Sequence, residues 1–193
     1  MITCVEGPIG VGKTTLVNAV VKRMNATAVY EDFGNNPFLL SHYKSPMSFS
    51  LHVQFCFLLL QHAKLRELIE KSKNYICDFS ILKTAIFSTL LLSPEERQLI
   101  DPVYTYLKKT INPPDMIIYL HGPDTLMMKR IRQRNRPRDT EISLPVIAQL
   151  SSAYEWFFAT YKETPWISRN IRAFDCQLTS HVDDLIHEIQ GSM

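Results

Sequence analysis

The chain has no apolar run able to cross a bilayer. Its longest, Phe55 to Leu60, is six residues where a membrane helix needs about 20. No basic stretch and apolar core of a leader peptide stand at its start, so the expectation is a cytosolic protein with nothing removed. Charge of one sign is also lacking. Lys and Arg total 21 against 19 Asp and Glu, a net charge of +2, which gives no bulk attraction to nucleic acid or membranes. The four cysteines, Cys4, Cys56, Cys77 and Cys176, have no metal-ligand spacing, and Cys4 and Cys77 read as reduced core residues. His42, His52 and His62 lack the paired spacing of a zinc site and read as surface or core. There is no internal repeat or interdomain linker, and 193 residues suit a single domain over 1–193. Glycine is scarce, at six residues, and Gly7, Gly10 and Gly12 fall within one short stretch.

That stretch is Gly7-Pro8-Ile9-Gly10-Val11-Gly12-Lys13-Thr14, which matches the phosphate-loop pattern G-x-x-x-x-G-K-[ST]. Ile2 to Val5 before it reads as a buried strand. Thr15 to Met24 after it reads as a helix with Leu16, Val17, Val20 and Val21 on one face. A strand, a glycine turn and a helix N-terminus aim several N–H groups at one point, which suits a polyphosphate. Lys13 then neutralises the β- and γ-phosphates, and the Thr14 hydroxyl takes a place on Mg²⁺. Residues 7 to 15, including Pro8, Ile9, Val11 and Thr15, form the candidate phosphate cradle.

Strand and helix signals alternate along the rest. Strands are expected at 26–31, 75–78, 116–121 and 170–174. Helices are expected at 47–73, 81–92, 94–109, 124–134, 144–161 and 180–189, with Ser93 as N-cap and Pro94 at the first helical position of its helix. The fold class is therefore α/β, a five-stranded parallel sheet with helices on both faces. Crossovers of one hand bring the C-terminal strand ends, Gly7, Glu31, Asp78 and His121, to one edge.

Three groups converge there. Glu31 can accept a proton from an attacking hydroxyl, or it is a helix-end or surface carboxylate. Asp78 can contact Mg²⁺ directly or through water, or it caps the helix near Ile81. The segment 129–138 holds six basic residues in ten. Arg130 and Arg134, four apart, share a helix face and can fork onto phosphate oxygens with Arg136; the alternatives are a solvated face or a nucleic-acid patch. Between Asp32 and Ser80 the only arginine is Arg66, too few to hold a second anionic phosphate. That region instead offers Phe33, Phe57, Tyr43, Asn36 and Gln54, with Phe87 further on. Aromatic faces can stack on a base, and a glutamine can read its edge, though most of these aromatics also suit a core.

These residues together resemble the deoxynucleoside kinase family over nearly the whole chain. Val5 to Thr14 is similar to its phosphate loop. Asn36-Pro37-Phe38-Leu39 with Tyr43 resembles the Asn-Pro-Phe/Tyr-Leu segment of its bacterial members. His52 to Leu58 places Gln54 at the family's base-reading glutamine, and Glu31 falls at its general base. Arg130 to Arg136 resembles the lid signature Arg-Ile-x-x-Arg-Gly-Arg, with Asn135 for the glycine and Asp139 for the usual glutamate. The family has Asp/Glu-Arg-Ser after its third strand, whereas Cys77-Asp78-Phe79-Ser80 here has no arginine. A bacterial branch reads Asp-Tyr-Leu-Phe followed by Lys-Asp-Arg; this chain has Lys83-Thr84-Ala85 there.

The resemblance implies a three-layer P-loop kinase fold with a lid at about 129–141. It implies ATP and Mg²⁺ as cofactors, and a deoxynucleoside phosphorylated on its 5′-hydroxyl. Lys13, Glu31, Arg130, Arg134 and Arg136 are then the catalytic set, and Thr14 and Asp78 the metal site. Phe33, Asn36, Tyr43, Gln54, Phe57, Asp78 and Phe87, with Glu31, hold the acceptor. Nucleic acid and membrane partners are not expected. Homodimers are common among similar proteins, and the apolar face of 47–73 serves either as interface or as core. Two other readings stay open: a thymidylate-like monophosphate kinase, and a kinase-derived interaction protein with little activity.

Overall fold

The computed structural model describes residues 1–44, 46–68, 73–136 and 139–191; the side chains of 43, 44, 46 and 47 also lie outside the description. In chain order the elements are β1 (Ile2–Glu6), α1 (Lys13–Met24), β2 (Thr27–Val29), α2 (Leu39–Lys44), α3 (Pro46–Arg66), β3 (Tyr75–Cys77), α4 (Leu82–Leu91), α5 (Pro94–Lys108), β4 (Met116–His121), α6 (Asp124–Arg134), α7 (Leu144–Thr160), β5 (Trp166–Asn170) and α8 (Thr179–Gly191).

All five strands are parallel, in the order β2-β3-β1-β4-β5. Parallel strands with both faces covered are buried throughout rather than on alternate residues, as β1 and β3 are. Period two still divides their side chains between two layers. Val5, Ile118 and Leu120 pack on one face with Leu16 and Val17 of α1 and Val182 and Leu185 of α8. Cys4 and Cys77 pack on the other with Leu58 and Leu65 of α3, and Ile117 and Tyr119 with Tyr154 and Phe158 of α7. Both core cysteines are free thiols, as expected. No helix is long and apolar enough to cross a membrane among the described residues.

The chain crosses from one half of the sheet to the other at β1, which pairs with β3 on one side and β4 on the other. A crevice opens at the C-terminal ends of strands at such a switch point, and the glycine loop after β1 lies in it.

Several elements differ from the sequence reading. β5 is Trp166–Asn170, not 170–174. The Asn170 side chain accepts the Arg172 N–H and the Asn170 carbonyl accepts those of Ala173 and Phe174, so a turn ends the strand where apolar residues continue. Ile171 and Phe174 are buried as turn residues. β2 stops at Val29, which leaves Glu31 in the following loop. The short helix α2 precedes α3, and α3 ends at Arg66 rather than 73, with 69–72 outside the described residues. Val53, Leu58 and Leu65 of α3 are core. Ser93 caps α5 as expected, reinforced by Glu96 reaching back to the Ser93 N–H.

Ile118 is fully buried in the central sheet. Ile118→Ala is expected to lower unfolding free energy by ~2–5 kcal/mol, seen as a lower urea midpoint at unchanged denaturant slope.

Candidate active site

The glycine loop is shaped by what lies against it. Gly7 has φ 141°, and a Cβ there would stand 2.2 Å from the Leu120 carbonyl oxygen of β4. At Gly10, φ 84°, a Cβ would meet the Met127 carbonyl oxygen of α6 at 2.7 Å. Neither backbone can yield, so glycine is required. The lid helix α6 therefore packs straight onto the loop, and Arg130 secures it by donating to the Val11 carbonyl at 2.8 Å. α1 begins at Lys13, presenting its first N–H groups to the crevice. Lys13 curls back and donates to the Gly7 and Pro8 carbonyls at 2.6 and 3.0 Å. Loss of hydration, helped by the Lys83 ammonium, lowers the Lys13 amine to about 8, against the pull of Glu6, Glu31 and Asp78.

Asp78, one residue past β3, is the junction. One carboxylate oxygen accepts the Thr14 hydroxyl at 2.6 Å and the other accepts the Glu31 backbone N–H at 2.7 Å. The Asp78 carboxylate thus binds the phosphate loop to the segment carrying Glu31. Beneath it Glu6 is fully buried and accepts the Ser80 N–H and hydroxyl, both at 2.7 Å, and the Tyr154 hydroxyl at 3.0 Å. Burial pushes the Glu6 carboxyl upward, opposed by the Ser80 hydrogen bond and by Lys13 and Lys83.

The Glu31 side chain is buried and held at both oxygens. The Gln61 amide donates to one at 2.6 Å, and the Lys83 ammonium pairs with the other. Gln61 in turn accepts the Thr84 hydroxyl at 3.4 Å. The Lys83 nitrogen lies over Phe33, Phe87 and Phe57, at 4.9, 5.4 and 5.9 Å from the ring centroids.

One cleft of about 1000 Å³ runs along Lys13, Thr14, Asp78, Gln61 and Lys83; Glu31, held by the last three, is not itself among the residues that line it. Ile9, Gly10, Gly12, Lys13, Thr14 and Thr15 form the cleft's glycine-loop end, and Arg130, Arg134 and Arg136 an arginine-lined wall. Asn135 closes α6 with φ 43°, the left-handed geometry that asparagine tolerates. Arg134 donates to Asp139 at 2.7 Å, which steadies the lid turn. On the acceptor side stand Phe33, Phe57, Phe87, Gln54 and Asp78. Gln54 is 3% exposed and has no hydrogen-bond partner among the described residues, so its amide is left to whatever enters the cleft.

Some expected residues are elsewhere. The Asn36 amide donates to the Val53 carbonyl and accepts the Phe38 N–H; it is buried and braces the loop behind the wall. The side chains of Gly7's neighbours Pro8 and Val11 do not line the cleft, and Val11 packs in the core. The side chain of Tyr43, and all of Arg138, lie outside the described residues. His121 stacks on Tyr119 and pairs with the Ser168 hydroxyl, away from the cleft. Sequence reasoning missed Lys83, Gln61 and Glu6. Lys83 carried a faint signal: a single cation in an otherwise uncharged helix.

Residues 3–192 match the family model described as "Deoxynucleoside kinase". The deoxyguanosine kinase of Bacillus subtilis (strain 168) is 30% identical over 155 residues, covering 78% of this chain and 75% of that protein. The deoxyadenosine/deoxycytidine kinase of the same organism is 28% identical over 182 residues, covering 90% and 84%. Among solved structures, the deoxyadenosine kinase from M. mycoides with bound dATP superposes with a TM-score of 0.82 at 19% identity, covering 98% of this chain and 99% of that one. At that identity the likeness concerns the fold, and it agrees with the three-layer α/β architecture.

A triphosphate anion seated at this loop would pair with protonated Lys13. Above pH about 8 the free site must gain a proton on binding. Affinity for inorganic triphosphate is therefore expected to fall as pH rises from about 8, by up to about ten-fold per unit. Lys13→Arg stays charged and should lack this fall; calorimetry on both across the range checks it.

Proposed function

The chain belongs to the deoxynucleoside kinase family and is a phosphotransferase, and from that premise we propose how it works. It transfers the γ-phosphoryl group of ATP to the 5′-hydroxyl of a deoxynucleoside, giving the 5′-monophosphate. Residues 1–193 act as one kinase domain, with a lid at about 129–141. The observation that carries this reading is the Asp78 bridge, which fixes the Glu31 backbone relative to the Thr14 hydroxyl of the phosphate loop. A candidate base and a phosphate cradle so linked can act on one substrate pair.

The α- and β-phosphates lie on the N–H groups of Gly10 to Thr15, and Lys13 exchanges its loop carbonyls for phosphate oxygens. Thr14 and Asp78 offer a hydroxyl and a carboxylate side by side, oxygen ligands that fit Mg²⁺. That ion keeps several waters and uses few protein oxygens. When bound, Mg²⁺ neutralises charge on the β- and γ-phosphates. The deoxynucleoside enters over Phe33, Phe57 and Phe87, with Gln54 reading the base edge. Glu31 takes the 5′-hydroxyl proton as the oxygen attacks. The new O–P bond forms while the bond to the β–γ bridging oxygen breaks, and its electron pair leaves with ADP. Arg130, Arg134 and Arg136 stabilise the transferring phosphoryl, and lid closure keeps water out.

The relatives include enzymes named for deoxyguanosine and for deoxyadenosine, so purine deoxynucleosides are the first acceptors to test. A thymidylate-like kinase would need cations for a second phosphate. Among the described residues of the acceptor wall the one lysine or arginine is Lys83, and it is paired with Glu31. The reduced core cysteines support a cytosolic setting. A homodimer also belongs to the proposal. With the α3 residues Val53, Leu58 and Leu65 in the core, the face that supports it is the α4–α7 groove of Ile86, Leu90, Ala153 and Phe157, beside Trp156 at 66% exposure.

Two outcomes are expected. In a coupled assay with all four deoxynucleosides, the wild type phosphorylates at least one and Glu31→Gln loses about 10²-fold or more in kcat; equal rates would contradict the role of Glu31. Light scattering should show a dimer that Trp156→Glu converts to monomer, whereas an unchanged mass would place any interface elsewhere.

A further inference from the structure

No arginine stands in Asp78-Phe79-Ser80, and the buried Glu31 carboxylate is paired instead with a lysine one helix turn further on. We propose that Lys83, reaching from the first turn of α4, is the positioning cation for Glu31. The inference rests on Glu31 being the base of the proposed reaction.

Local energetics do not favour a lysine at this place. The N-terminal turn of a helix carries partial positive charge and disfavours a cation. The Lys83 side chain is only 12% exposed and surrounded by apolar residues, and an ammonium loses hydration there. Its partners are the Glu31 carboxylate and the faces of Phe33, Phe57 and Phe87. A buried ion pair of this kind adds little net stability over an apolar pair of the same size. Its contribution is geometric. Glu31 follows a short edge strand in an irregular loop, so its backbone alone cannot set the direction of the carboxyl group. Three elements do: Asp78 holds its N–H, Gln61 of α3 one oxygen, and Lys83 of α4 the other. Thr84 extends the same control by holding Gln61. A carboxylate has about four lone-pair sites. Two are used here, which leaves capacity to accept the acceptor hydroxyl. Because Lys83 also lines the cleft, its position reports directly to the substrate chamber.

The test compares wild type, Lys83→Met, Lys83→Arg, Glu31→Gln and the double variant Glu31→Gln/Lys83→Met, each with its best deoxynucleoside and MgATP. Thermal melting and ATP binding verify folding. The double variant leaves no buried charge unpaired, so it serves if Lys83→Met proves unstable. Lys83→Met is expected to lower kcat by about 10²-fold with the KM for ATP unchanged. Lys83→Arg should restore most of the loss, since it keeps the charge and can fork onto a carboxylate. The double variant should be no slower than Glu31→Gln, because Lys83 acts through Glu31. The proposal is overturned by full activity in Lys83→Met, by Lys83→Arg as slow as Lys83→Met, or by losses that multiply in the double variant. A wild type that phosphorylates no deoxynucleoside overturns the functional reading and this inference together. An active wild type with an equally active Lys83→Met overturns this inference alone.

Discussion

The Asp78 carboxylate is the point on which the site depends. It directly follows β3, and β3 is the neighbour of β1 in the sheet. Sheet order therefore sets the distance between Asp78 and the glycine loop. By taking the Thr14 hydroxyl and the Glu31 N–H at once, it converts that order into a fixed relation between the glycine loop and the segment carrying Glu31, which the proposed reaction uses as phosphate cradle and proton acceptor. A switch point opens the crevice, and this bridge gives the crevice its chemistry. The fully buried Glu6 acts one layer below. It ties the end of β1 to the turn at Ser80 and to Tyr154 of α7, so the turn that presents Asp78 is itself anchored to the central strand and, through Glu6, to α7.

The cost is electrostatic. Glu6, Glu31 and Asp78 are all buried, with Lys13 and Lys83 as their cations. Like charges gathered in a poorly hydrated place oppose one another, which is how Lys83 helps to lower Lys13. Such clusters are weak contributors to stability and are common at functional sites. The apolar layers around Ile117, Ile118 and Leu120 supply the stability that this arrangement does not.

Much of this could be read from the chain alone, for reasons that are local. Gly7 and Gly10 were legible because a phosphate loop needs positive φ and close backbone approach, and both appear. Glu31 and Asp78 stood out as acids closing apolar runs, and Ser93-Pro94 as a helix start. What could not be read depends on pairing across distance. Lys83 and Glu31 are 52 positions apart, and no spacing rule joins them. Asn36 looked like a ligand-facing amide because its sequence does not say which backbone it meets; Val53 and Phe38 absorb it. The fifth strand was displaced because Ile171 and Phe174 are apolar enough for a strand, while the Asn170 turn decides where the strand stops.

The most direct test is a crystal structure with a deoxynucleoside and a non-hydrolysable ATP analogue bound together. The account predicts a Glu31 carboxylate oxygen within about 3 Å of the 5′-oxygen, with the Asp78 bridge intact and the γ-phosphorus opposite. A nucleoside seated elsewhere, or a Glu31 carboxylate turned away from that oxygen, contradicts it.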